Sequence, residues 1–127
     1  MAIRTELNLR LPNSPGALAD ICQLLASERV DILALALDAS GHLRLVVDNH
    51  VHGAALLREQ HHQVTERDVI AARVPHTAGG AAPAMRLLSA AGVNIEYAYG
   101  GAEEGGRTAT LIVGVTDAQR AAAAAGL

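Results

Sequence analysis

The sequence predicts an α+β protein made of two tandem ferredoxin-like units of order β-α-β-β-α-β, the second lacking its last strand. Three observations carry that prediction. The segment "LPNSPGALADICQLLASERVDI" (11–32) returns in altered form as "VPHTAGGAAPAMRLLSAAGVNI" (74–95). Aligning Leu7–Ala36 with Ile70–Tyr99 gives eight identities, among them Pro12/Pro75, Gly16/Gly79, Leu25/Leu88 and Ile32/Ile95. In each copy the apolar period also changes from two to about 3.6 and back, which is the signature of strand, helix and strand. A repeat of this kind fixes the plan of the whole fold and is sought before any single element is assigned.

The first unit covers 1–67. Leu7, Leu9 and Leu11 alternate with Asn8 and Arg10 as a half-buried strand does, and Pro12 ends the run. Asn13 and Ser14 are good helix N-caps, and Pro15 suits a first helical turn. Leu18, Ile21, Cys22 and Leu25 then form one stripe of a helix reaching about Glu28. Val30–Asp38 and Leu43–Asp48 read as strands joined by a turn at 39–41, "GAALLREQ" (53–60) as a short helix, and Val64–Asp68 as a fourth strand. In "VDILALAL", strict alternation turns Val30, Ile32, Ala34 and Ala36 to one face and Leu33, Leu35 and Leu37 to the other. A helix-covered sheet would leave those three leucines on its open face, as an interaction surface or buried within the chain.

The second unit covers 68–127. Val69–Val74 is its first strand and Ala78–Ala91 its helix, with Ala81, Ala84, Met85 and Leu88 facing inward and Gly92 stopping it. Val93–Gly100 and Arg107–Val115 form a hairpin with the tip "GAEEGG". "TDAQRAAAAAG" is a helix with Asp117 in its first turn. No fourth strand follows, and "VTERDVIAARV" leaves almost no linker between the units.

A unit of about 65 residues buries too little surface to be comfortable alone, so the units are expected to pack on each other or on a second chain. With two tyrosines and neither Phe nor Trp, the cores must come from Leu, Val, Ile and Ala. A net charge of −3 with scattered arginines excludes a nucleic-acid stripe or an anionic-membrane footprint. The alternating N-terminus is not a signal peptide, and no run approaches a membrane span. A single cysteine, Cys22, on an apolar helix stripe reads as a buried core residue in a reducing compartment, which points to the cytoplasm.

The residues that could bear chemistry gather at the strand-to-helix corners. In "PNSPG", Asn13, Ser14, Pro15 and Gly16 precede a helix whose free N–H groups favour an anion such as a carboxylate. "PHTAGG" offers His76, Thr77, Ala78, Gly79 and Gly80 in the same place. A well-made helix cap has the same composition, so the local residues allow both readings. Asp31 and Asn94 hold matched positions where the second strand begins; an amide there both donates and accepts, whereas a carboxylate only accepts. The six histidines lack the spacing or cysteine partners of a zinc site, so no metal is expected. No nucleophile elbow, phosphate loop or dinucleotide fingerprint is present, so neither catalysis nor a cofactor is expected.

The recurring corner, with "VNI" opening the following strand, resembles the ACT domain, a small regulatory module of amino-acid metabolism. The resemblance covers nearly the whole chain as two tandem units, and "AGVNIEYAY" matches it well. It implies a non-catalytic regulator that binds a free amino acid at the interface between units, as a homodimer or higher oligomer acting on an amino-acid biosynthetic enzyme. It nominates Asn13, Ser14, Pro15, Gly16 and Asp31 in the first unit, and His76, Thr77, Ala78, Gly79, Gly80 and Asn94 in the second. The chain departs from the family pattern at Asp31, His76 and Ala78, so the two corners are not expected to bind alike. The alternative is a ligand-independent assembly module for a partner enzyme.

Overall fold

A computed structural model describes residues 1–126. Six strands and four helices follow in the order β1 (Ala2–Arg10), α1 (Ala17–Ser27), β2 (Ile32–Leu37), β3 (His42–Val47), α2 (His50–Glu59), β4 (Thr65–Pro75), α3 (Ala82–Ala90), β5 (Tyr97–Gly101), β6 (Thr108–Gly114) and α4 (Ala118–Ala124). They form two compact units, Thr5–Arg67 and Met1–Arg4 together with Asp68–Leu127. The two strands expected on either side of Asp68 are one strand, β4: nothing in "VTERDVIAARVP" breaks extended backbone before Pro75.

In the unit Thr5–Arg67 the strand order is β2-β3-β1-β4. β1 and β3 are antiparallel, with Leu7 opposite Leu45 and Leu9 opposite Leu43. These leucines, with Val47, meet Ile21 and Leu25 of α1 and Ala54, Leu56 and Leu57 of α2 in one core. The helical period delivers Ile21 and Leu25 to it, while Leu18 and Cys22 at the margins of the stripe are only half-buried.

The alternation expected for β2 fails at one place. Ile32 pairs with Val47, but the register shifts before Ala34, which pairs with Val46; Leu35 and Leu37 then sit opposite Leu45 and Leu43. A bulge adds one residue and exchanges the two faces beyond it. Leu35 and Leu37 therefore lie on the leucine face of the sheet, not its open face. They remain about 40% exposed because β2 is the edge strand.

The second unit has strand order β4-β6-β5, with Ile70 opposite Val113 and Tyr99 opposite Ile112. Ile70, Leu88, Val113, Val115, Ala118 and Ala121 make its core, with small residues where aromatics are missing. Among the described residues no strand follows α4. Instead Met1–Arg4 belong to this unit, and Ile3 packs against its core. The start of β1, adjacent to β4 in the strand order, thus stands where a fourth strand of the second unit would be.

Helix ends follow the local chemistry. α1, α2 and α3 each close with paired backbone bonds: Val30 and Arg29 N–H to Leu25 and Ala26 O, His62 and His61 to Leu57 and Arg58 O, Val93 and Gly92 to Leu88 and Ser89 O. In this motif the residue after the cap is left-handed. Gly92 does this at no steric cost, but Arg29 (φ 59°) and His61 (φ 68°) hold the same conformation with side chains. α4 is capped by Asp117, which stands before the first turn and accepts from the Arg120 N–H at 3.0 Å. α2 starts three residues earlier than "GAALLREQ" because the Asn49 carboxamide caps it, accepting from the His52 N–H.

Candidate functional site

β1 and β2 are both antiparallel to β3, so they run parallel and their C-terminal ends lie at the same end of the unit. The β1–α1 corner must therefore meet the β2–β3 turn. Leu11 N–H donates to Gly41 O at 2.8 Å, and Gly41 (φ 86°) comes so near that a Cβ would lie 2.3 Å from Leu11 O. The corner and the turn together enclose a cavity of about 190 Å³, whose walls include Asn13, Ser14, Gly16, Leu18, Leu37 and Asp38.

One wall is the start of α1. Asn13 and Ser14 do not cap it, and Pro15 precedes the helix instead of entering it. The Ser14 carbonyl is taken by Ala17 N–H, and Gly16 (φ 87°) is the N-cap with no side-chain bond. The next N–H groups, those of Leu18 and Ala19, have no carbonyl four residues back within the helix and form a small positive surface. The facing wall carries Asp38. Its Oδ1 accepts from Ser40 Oγ, Ser40 N–H (2.9 Å) and His42 N–H (3.3 Å). The Ser40 hydroxyl foremost holds the carboxyl below the usual carboxylate range; burial opposes it, and the His42 and Ser40 N–H groups add to the lowering, so it is ionised at neutral pH. The cavity thus offers donors on one side and a carboxylate on the other.

Asp31 lies elsewhere. It follows α1, whose 11 residues span roughly 16 Å at 1.5 Å each. Its backbone is closed onto Asp48: Asp31 N–H donates to Asp48 Oδ1 at 2.9 Å, and Asp48 N–H to Asp31 O at 3.0 Å.

The second unit repeats the geometry with different contacts. Its corner meets the β5–β6 tip through His76, whose N–H donates to Arg107 O and whose Nδ1 lies 2.9 Å from Gly106 O. A carbonyl only accepts, so Nδ1 carries the proton and the ring is a latch on the hairpin. Thr77 O takes Gly80 N–H and Gly79 O takes Ala82 N–H, so 77–81 is turn and α3 begins at Ala82, four residues after the expected start at Ala78. Gly80 is pressed on the corner itself: a Cβ would fall 2.1 Å from Pro75 O. Asn94 is at the opposite end of α3, in the irregular segment before β5, lining a cavity of about 290 Å³ with Thr116, Asp117 and Arg120.

Of the residues nominated from the sequence, Asn13, Ser14 and Gly16 line the first cavity; Asp38 and Gly41 line it too, and Thr116, Asp117 and Arg120 line the one beside Asn94, without having been nominated. The signal for Asp38 was available in principle, since the order β-α-β-β alone puts the first corner and the hairpin turn at one end. Among the described residues, no group of three or more His, Cys, Asp or Glu side chains is placed to hold a metal ion.

Two βαββα arrays in tandem, each with a strand–helix corner closed by a hairpin turn, define a protein of paired small α+β domains. The chain belongs to the ACT domain pair family, whose model matches residues 1–124. Protein BT0572 from Bacteroides thetaiotaomicron is similar over 96% of this chain and 85% of its own, with 26% identity and a TM-score of 0.85. The ligand-free regulatory subunit of aspartate kinase from Thermus thermophilus shares the fold at 18% identity and TM-score 0.69, over 98% of this chain and 92% of that one. E. coli aspartokinase III in complex with lysine and aspartate shares it at 18% identity and TM-score 0.57, over 95% of this chain and 31% of that chain. No curated protein sequence matches significantly.

Proposed function

We propose that this protein is a non-catalytic regulator that binds a free amino acid at the β1–α1 corner of its first unit, where an ACT-like unit of a second copy closes the site. The observation that carries the reading is the pairing of uncapped α1 N–H groups with ionised Asp38 across about 190 Å³. A zwitterion needs those two features on opposite sides: donors for its carboxylate and a carboxylate for its ammonium. Asn13 and Ser14 stand on the same walls and supply polar contacts, and Gly16 lets the ligand approach the backbone. Pro15 shapes the corner. In the second unit the His76 latch and the collapse of Thr77, Ala78, Gly79 and Gly80 into turns disfavour an equal site at that corner. Asn94 and Asp31 are candidates to contact a ligand held by the neighbouring copy. Binding regulates only if it favours one of two states, so the partner, an amino-acid biosynthetic enzyme, must sense the difference. The relative described as a regulatory subunit of aspartate kinase supports that class of partner. Among the described residues no helix is long and apolar enough to cross a membrane, and action in the cytoplasm is part of this proposal.

Isothermal titration against the twenty amino acids tests the proposal. One or a few bind, and Asp38→Asn weakens them roughly tenfold or more, as the loss of a charge-assisted hydrogen bond requires. No heat and no thermal shift with any of them would overturn it. The exposed Leu33, Leu35 and Leu37 on an edge strand favour a second reading, in which the protein only assembles subunits. That reading expects an oligomer whose size and melting temperature ignore every amino acid.

A further inference from the structure

The first unit carries a second polar cavity, of about 500 Å³, on the sheet face that turns away from the leucine core. On that face Asn8 pairs with Arg44 and Arg10 with His42 across β1 and β3. The cavity is bordered by Asn8, Arg10 and His42 and, from the α2–β4 corner, by His62, Gln63 and Thr65. One guanidinium, two imidazoles, two carboxamides and a hydroxyl converge there, and no carboxylate lines it. A donor-rich concavity of this size, with one fixed cation and two imidazoles, is large enough for a small ligand.

Hydrogen bonds hold the side chains of Asn8, His42 and Arg10. Glu6, fully buried two residues along β1, accepts from Asn8 Nδ2 at 3.0 Å. With its amide nitrogen committed, Asn8 presents Oδ1 to His42 Nε2, 2.7 Å away, so the imidazole must donate through Nε2–H. That fixes the tautomer and leaves Nδ1 to bind or release a proton. Arg10 uses Nη1 on Ser40 O and Oγ. The backbone at His62 is set by its N–H bond to Leu57 O, in the turn where His61 is left-handed, and Arg58 Nη2 bonds Val64 O, two residues on, at 3.0 Å.

We infer that this cavity is a binding site for a small oxyanion-bearing metabolite, its phosphate or carboxylate group held by Arg10, His42 and His62 with Gln63 and Thr65 as neutral donors. The site is separate from the corner proposed for an amino acid and stands or falls without it. An anion there gives His42 a reason to take up a proton. Burial first, and then the Arg44 charge with that of Arg10, hold the ring below its usual range, while Asp38 and Glu6 pull the other way. His62, across the cavity, is the remaining titratable group that faces it. Anion binding is therefore coupled to proton uptake and strengthens as pH falls.

The test is an NMR titration of the intact protein with inorganic phosphate and, separately, with succinate, following the histidine ring signals at pH 6 and pH 8 against chloride at matched ionic strength. The inference expects saturable shifts at His42 and His62 with at least one anion, with half-saturation below about 10 mM, several-fold tighter at pH 6. Saturation by phosphate alone assigns a phosphate group, by succinate alone a carboxylate. Arg10→Gln and, separately, His62→Gln weaken binding at least fivefold while the amide spectrum stays folded. Shifts that merely track ionic strength, or saturable binding that neither variant changes, would overturn it.

Discussion

Replacing Gly41 by alanine tests the claim that the β2–β3 turn is locked onto the β1–α1 corner. Gly41 has φ 86°, where an L-residue is strained by about 1–2 kcal/mol, offset by roughly 0.4–1 kcal/mol from the stiffer unfolded chain. The new Cβ would also lie 2.3 Å from Leu11 O, a backbone atom that no rotamer change can move. The turn must retreat, and the Leu11 N–H···O Gly41 bond of 2.8 Å weakens with it, a further loss of about 0.5–1.5 kcal/mol. Gly41→Ala should thus cost roughly 2–3 kcal/mol, from the strain, the clash and the bond together. Gly16→Ala is the matched control: φ is 87° but nothing lies within 4 Å of the built Cβ, so only the net strain of about 0.5–1 kcal/mol applies. Equilibrium urea unfolding of both variants, with unchanged m-values, reads the difference. If the two lose equal stability, the corner is not clamped and the cavity beside it is not a fixed shape.

Two more outcomes follow from backbone and charge. Arg29→Gly and His61→Gly each place glycine where a left-handed residue closes a helix, and each should gain about 0.5–1 kcal/mol in urea unfolding; a loss at both positions would contradict the assigned helix ends. Burial foremost lowers the folded-state affinity of His42 for a proton, so the unfolded chain protonates first as pH falls. The stability this residue contributes is complete above its unfolded value of 6.5 and is lost as pH drops from there through the folded value. A plot of urea midpoint against pH should therefore slope less in His42→Gln than in the parent between neutral and mildly acid pH, and identical slopes would refute the assignment.

The sequence alone determined the plan. Periodicity is local, so the leucines of β1, the stripe of α1 and their repetition 63 positions on were enough to order the elements and expose the duplication. Glycines, prolines and polar residues marked the corners for the same reason. Even the weak point of α1 is visible in the repeat, since Arg29 stands where the second copy has Gly92. What could not be read locally was anything that depends on a partner distant in the chain. The β2 bulge is fixed by pairing with β3, and it exchanges the faces of Leu35 and Leu37 without a mark in "VDILALAL". Asp38 becomes part of the corner because β1 and β2 run parallel on either side of β3. His76, a candidate ligand contact in the sequence, is tied to the hairpin tip because Gly106 O lies beside its ring. Period and turn chemistry belong to a few neighbouring residues, whereas register, shared strand ends and cavities arise only when remote segments meet in space, and that is where this protein's candidate sites were decided.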